Sequence, residues 1–179
     1  MREFIGQHFN HFLALLVLVS RIGDIGTTYL ATPTLALEAN PIARRFGWRF
    51  ALATLVVAGI PYYSRELGVM VATMSLLVSA SNASKVMAAR AMGEQAYLQL
   101  SRQVVAGTGT VLGICFILLP SAFYALLGGV MLLFFPGPEA GWGCYFAGGI
   151  LAYAFAIVLW GTHRFLMLKR KARAAAGGS

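Results

Sequence analysis

Six acidic residues are spread over 179 positions, and Asp24 falls inside an otherwise apolar stretch. A carboxylate is costly there and marks a site by default. Arg21, Asp24 and Thr28 are spaced i, i+3, i+7 and share one helix face, with Ser20 and Thr27 beside them. One i, i+3 step separates Arg21 from Asp24, so the two can also simply neutralise each other. Glu38-Ala39-Asn40-Pro41 comes next. Asn-Pro initiates turns and Pro41 suits the first position of a helix, so Asn40 reads as an N-cap. Either this is a capped interfacial turn with Glu38 solvated, or the turn folds back and brings Glu38 and Asn40 to Asp24. Further on, Ser75, Ser79 and Asn82 follow i, i+4, i+7 spacing, and Lys85 continues the row.

Asp24, Thr27, Thr28, Glu38, Asn40 and Asn82 are therefore the candidate ligand-binding residues, with Arg21, Ser79 and Lys85 in support. Two carboxylates with amide and hydroxyl oxygens suit a hard cation, Na⁺, Ca²⁺, Mg²⁺ or Mn²⁺, better than Zn²⁺. A buried Asp24 could instead exchange a proton. Arg21, Arg44, Arg45 and Lys85 could hold an anionic headgroup or a phosphate. No catalytic residue and no cofactor follows from the sequence, because Ser79, Ser81 and Ser84 have no histidine near them in sequence.

Asp24-x-x-Thr27-Thr28 followed by Glu38-x-Asn40-Pro41 resembles the signature of a family of small, uncharacterised bacterial and archaeal multi-span membrane proteins, a domain of unknown function. The resemblance covers roughly residues 20–85. It implies a multi-span helical fold and no particular activity.

The elements that must position these residues are membrane helices. The chain is 59% apolar and 11% charged, against about 45–50% and about 25% in soluble domains. Disorder, a fibre and an ordinary soluble enzyme domain are excluded on that ground. Expected spans, each near the ~20 residues a bilayer needs, are 11–31, 48–64, 67–84 and 142–162. The second is interrupted by Gly59 and Pro61. A further stretch, 104–135, carries no charge over 32 residues. As one helix it would be about 48 Å long, so it must tilt, bend or break, and Pro120 is the expected place. The polar connection 85–103 reads as an extension of the third span or an interfacial amphipathic helix.

These spans make an all-α polytopic bundle, one domain over residues 1–176, with Gly-Gly-Ser at 177–179 read as an expression-vector remnant. Five spans with the N-terminus out and the C-terminus in place 11 of the 14 bases on the cytoplasmic side: Arg44, Arg45, Arg49, Lys85, Arg90, Arg102, Arg164, Lys169, Arg170, Lys171 and Arg173. Splitting 104–135 at Pro120 into two spans would put many of them outside. The net charge of +8 thus encodes orientation in a cell (inner) membrane and contact with membrane lipids and anionic headgroups at the cytoplasmic face, not nucleic-acid binding.

Other features are weaker. His8 and His11 are two potential metal ligands where a site needs three or four, and His163 reads as interfacial. Cys115 and Cys144 lie at different depths, which argues against a disulfide. Gly109 and Gly113, and Gly148 and Gly149, offer small surfaces for close packing within the chain or with a partner helix. Three functions compete. They are a cytoplasmic-side pocket binding a small cation, a proton or an anionic headgroup; a structural or assembly subunit of a larger complex; and an intramembrane enzyme acting on a lipid. The orientation is directly testable. A reporter fused after Arg2 is expected to score outside and one at the C-terminus inside; a cytoplasmic score for the first overturns the topology.

Overall fold

A computed structural model describes residues 8–176, and Arg2 and the Gly-Gly-Ser tail lie outside them. Every regular element among the described residues is helical. They are α1 (Phe9–Ala31), α2 (Pro41–Ala53), a 3₁₀ stretch (Thr54–Gly59), α3 (Ile60–Tyr63), α4 (Arg65–Met92), α5 (Glu94–Gly107), α6 (Thr110–Phe134), a short 3₁₀ turn (Pro138–Ala140) and α7 (Gly143–Ala176). Four helices, α1, α4, α6 and α7, are long and apolar enough to cross a membrane. Their outer faces carry large exposed apolar side chains, such as Val111, Phe116, Phe123, Leu126 and Leu133 on α6. In water so large an apolar surface would drive association; against hydrocarbon it costs nothing.

The segment expected as a span at 48–64 is not one helix. Pro61 has no N–H to donate, which breaks the α ladder, and Gly59 is a poor helix former. The chain winds tightly through the 3₁₀ stretch and then restarts as α3, with Pro61 in its first turn. Gly47, at φ +66°, bends α2 at a point where a side chain would be strained.

The contacts fix directions. Near its start α1 meets the start of α4: Arg65 Nε donates to Asn10 Oδ1 at 2.5 Å, and its guanidinium lies over Phe9. Further along, Asp24 and Thr28 meet Asn82. Helices α1 and α4 therefore run parallel, and the chain joining them must return along α1. It does so at three levels: the ring of Trp48 stands edge-on to Tyr29, Thr54 meets Arg21, and Tyr62 meets His11. From Tyr29 back to His11 is about 27 Å of α-helix. Fewer residues separate Trp48 from Tyr62, and the 3₁₀ rise of about 2 Å per residue stretches them to a similar length.

Small residues form the seams. An added Cβ at Gly149 would lie 2.7 Å from Thr73 Cβ and 2.8 Å from the Met70 carbonyl oxygen, and one at Gly148 2.9 Å from Met70 Cε. These contacts set α7 against α4. Gly113 receives the ring of Phe165, and Ser121 Oγ donates to the Ala154 carbonyl at 2.8 Å, closing the antiparallel α6–α7 hairpin. Gly113, Gly148 and Gly149 are thus covered inside the chain rather than held ready for a partner helix, because the close backbone approach of α4, α6 and α7 needs them. Gly109 has open space around it.

The long uncharged stretch breaks at Thr108–Gly109, not at Pro120, which lies inside a continuous α6. The reason is a cap. Lys169 Nζ donates to the carbonyls of Val105 (3.1 Å), Ala106 (2.9 Å) and Thr108 (2.5 Å), satisfying the last turn of α5. Lys169, expected as a lipid-contacting tail residue, is thereby engaged within the chain. The connection at 85–103 begins as an extension of the third span, since α4 continues to Met92; Gly93 then turns at φ +82°, and α5 follows as a separate helix. Cys115 and Cys144 are free. Because the α4–α7 seam has no room for a methyl group, Gly149→Ala is expected to lower the stability of the detergent-solubilised protein by about 1–3 kcal/mol. Gly109→Ala should change it little, and unfolding of the two variants side by side is the check.

Candidate functional site

A cavity of about 510 Å³ opens among α1, the α1–α2 loop, α2, α4, α6 and α7. Its polar wall begins with Arg21. Arg21 Nη1 donates to Asp24 Oδ2 at 2.6 Å, and Nη2 donates to Thr54 Oγ1 at 2.5 Å. The two ionic side chains are only 19% and 13% exposed, so the pair is largely shielded. Thr54 Oγ1 donates its own hydrogen bond to the Ala51 carbonyl at 2.6 Å, which leaves its lone pairs to accept from Arg21. The second oxygen of Asp24 is also engaged: Asn82 Nδ2 lies 3.3 Å from Asp24 Oδ1 and 2.9 Å from Thr28 Oγ1. Among the described residues, Arg21 Nε is the buried side-chain polar atom without a hydrogen-bond partner, and Arg21 lines the cavity.

Asn40 is the N-cap of α2, its Oδ1 accepting from Ile42 N–H at 2.9 Å. Glu38 Oε1 accepts from Asn40 N–H at 2.7 Å. The turn also folds back, since Glu38 and Asn40 line the same cavity as Asp24, Thr28, Asn82 and Lys85. The capping and the inward reading thus hold together. The charge of Glu38 acts on Asp24, Lys85 and Arg164. Lys85 Nζ lies 3.4 Å from Ser81 Oγ.

Two expected residues stand elsewhere. Thr27 Oγ1 donates back to the Gly23 carbonyl at 2.8 Å and does not line the cavity; a mid-helix threonine can satisfy itself this way. Ser79 packs against Gly23 on the α1–α4 seam, its Oγ 3.1 Å from where a Cβ would be. It belongs to the helix contact because its direction on α4 differs from that of Asn82. His11 Nδ1 pairs with Tyr62 Oη at 2.7 Å. Among the described residues no three His, Cys, Asp or Glu side chains gather as a metal site.

The remainder of the cavity wall is aromatic and apolar. Trp48, Tyr124, Tyr153 and Trp160 line it with Met74, Val78 and Ile157, and Tyr124 stands edge-on to Tyr153 at 4.9 Å between ring centroids. None of the four aromatics was singled out from the sequence. The tyrosines had a signal: a phenol inside an apolar span needs a polar neighbour. Thr54 had none, because nothing in its spacing points to Arg21.

The loop that delivers Glu38 and Asn40 is held by Glu94, at the start of α5. Its carboxylate accepts from Thr32 Oγ1, from Thr34 Oγ1 at 2.8 Å, and from the backbone N–H groups of Thr34 (3.3 Å) and Ala36 (3.2 Å). Arg164 Nη1 donates to the Leu37 carbonyl, and Trp48 Nε1 donates to the Pro33 carbonyl at 2.9 Å. Beneath lie buried Ala31, Leu37, Ala89 and Leu98. Leu35 adopts φ +58°, a left-handed conformation unusual for a branched residue, and is buried. Many tethers at once hold the loop in that shape.

Compared with protein-family profiles, curated proteins and solved structures, the chain matches none.

Glu94 supplies a pH prediction. Partial desolvation pushes its pKa up, but the Thr32 and Thr34 hydroxyls and the two backbone N–H groups outweigh it and hold the carboxyl below its ordinary value of 4.5. A pKa lower in the folded than in the unfolded state contributes stability that is complete above the ordinary value and is lost as pH falls through the folded one. Hydrogen-exchange protection of the Thr34 and Ala36 amides should therefore drop in that acidic window. Glu94→Gln should show weaker protection at neutral pH and no such drop.

Proposed function

We propose that this is a five-span protein of the cell membrane, N-terminus outside and C-terminus in the cytoplasm, whose cavity binds an anionic phosphate-like group in a binding or transport role. The parallel course of α1 and α4 supports the span count. If both helices cross, the chain between them crosses back, and residues 41–63 are that crossing. The distribution of bases supports the orientation.

The observation that carries the binding reading is the charge balance of the cavity. Arg21 and Asp24 neutralise each other. Of the other two charged residues that line the cavity, Glu38 has one carboxylate oxygen on the Asn40 N–H and Lys85 is the cation, while Arg164, tied to the Leu37 carbonyl, adds positive charge from outside the lining. A hard cation would need carboxylate oxygens free to coordinate, and both oxygens of Asp24 are already taken. An anion needs donors, and Lys85 and the unpartnered Arg21 Nε offer them. A volume of about 510 Å³ also far exceeds a bare ion and falls in the range of small-molecule sites. Of the residues that carry the likeness to the Asp-x-x-Thr-Thr and Glu-x-Asn-Pro family, Asp24, Thr28, Glu38 and Asn40 are, in this reading, part of the polar wall of a ligand cavity.

Calorimetric titration with glycerol phosphate and with short-chain phosphatidic acid should show binding that weakens on the order of tenfold in Lys85→Gln, the loss of one charge-assisted contact. Titration with Na⁺ or Ca²⁺ that shows binding abolished by Asp24→Asn would overturn the anionic reading.

A further inference from the structure

Resting on that reading, we infer that the anionic group is the head of a membrane lipid, and that the lipid enters sideways through a gap between α6 and the returning segment. The first ground is the wall of the cavity. Pro120 and Tyr124 of α6 line it, and so do Phe50, Ala51 and Thr54 of the returning segment. Yet α6 packs along α7, while the 3₁₀ stretch packs on α1, α2 and α3; no substantial packing joins α6 to the returning segment. Two elements that wall one cavity without packing together leave a slot between them.

The second ground is depth. Pro120 and Tyr124 stand midway along α6, and Thr54 stands level with Arg21, midway along α1. A slot at that level faces hydrocarbon. An aqueous solute would not meet it, whereas a lipid chain lies beside it. Exposed Leu52 and Phe123 flank it with apolar surface.

The third ground is the division of the interior. At the slot level Tyr124 and Ile157 line the cavity beside the Arg21–Asp24 pair, whose charges cancel, while Lys85, Asn40 and Glu38 lie toward the end of the bundle that the base distribution makes cytoplasmic. A lipid of the inner leaflet presents the same order, its charge at the interface and its chain toward the midplane. Charge and shape complement each other along one axis.

Tryptophan fluorescence tests this. Trp48 and Trp160 line the cavity, and the third tryptophan, Trp142, stacks near Phe9 at the other end of α1. In Trp142→Phe the remaining emission reports the cavity. The protein, with Cys115→Ser and Cys144→Ser, is reconstituted in vesicles holding a minor fraction of dibrominated phosphatidylglycerol or dibrominated phosphatidylcholine. The brominated anionic lipid should quench more strongly, and Lys85→Gln should reduce that preference. Ala51→Cys with Tyr124→Cys, bridged by a cleavable bifunctional maleimide, then closes the slot. Bridging should slow the appearance of quenching on the order of tenfold when brominated lipid is added by vesicle fusion, and cleaving the bridge should restore it, which shows that the fold survived.

Selective quenching that ignores the bridge overturns sideways entry and leaves the anionic site standing. Glycerol phosphate that binds in calorimetry while neither brominated lipid quenches makes the ligand water-soluble and overturns the lipid inference alone. Equal quenching by both lipids, with no glycerol phosphate binding, removes the anionic site itself.

Discussion

An arginine and an aspartate one helical step apart, inside an apolar helix, set the terms for the rest of the bundle. Leaving either charge facing hydrocarbon costs several kcal/mol, so the pair must be enclosed and its spare hydrogen-bonding capacity met. Arg21 reaches Thr54, and Asp24 reaches Asn82. Those two contacts bind α1 to the returning segment on one side and to α4 on the other. The 3₁₀ winding follows from the same demand, because the segment beside α1 must put Thr54 level with Arg21 and still bring Tyr62 to His11. Breaking the pair from either side would leave a buried charge uncompensated, and that is dearer than never having had the pair.

The cavity is a consequence of that enclosure. Packing α6 only against α7 leaves space over the polar wall, and the tyrosines and tryptophans lining it are amphipathic side chains that tolerate both a wet and a dry neighbour. Small residues elsewhere bring α4, α6 and α7 into close backbone contact. Tight seams and the open chamber are thus distributed by residue size: glycine and serine where backbones touch, aromatics where they stand apart.

Much of this was legible in the sequence. Composition and run length gave the helical class, and the i, i+3, i+7 rows of Asp24 and Thr28 and the row ending in Asn82 do meet. Asn40 caps as its Asn-Pro context requires. What escaped depends on long-range pairing. Glu94 grips residues about sixty positions away, and Lys169 caps a helix that ends just as far back. No local period encodes either contact. Pro120 misled for a physical reason: inside a long apolar helix a missing N–H is tolerated when neighbouring groups absorb the freed carbonyl, whereas a helix end capped by a lysine stops outright. Thr27 and Ser79 show the limit of face arguments, since sharing a stripe does not tell which side chains turn inward.

Lys169 and Arg164 also bear on how the molecule is made. Both sit on α7, which leaves the ribosome after α1 to α6, and both complete structures formed from much earlier chain: the end of α5 and the loop before α2. Until α7 is in place, the α5 carbonyls lack their cation and the loop lacks its tether, so that end of the nascent bundle stays loose. Synthesis of α7 therefore completes these two earlier structures. A chain truncated before residue 164 would insert its earlier helices and still carry an unfinished chamber, with Glu38 held only from the α5 side.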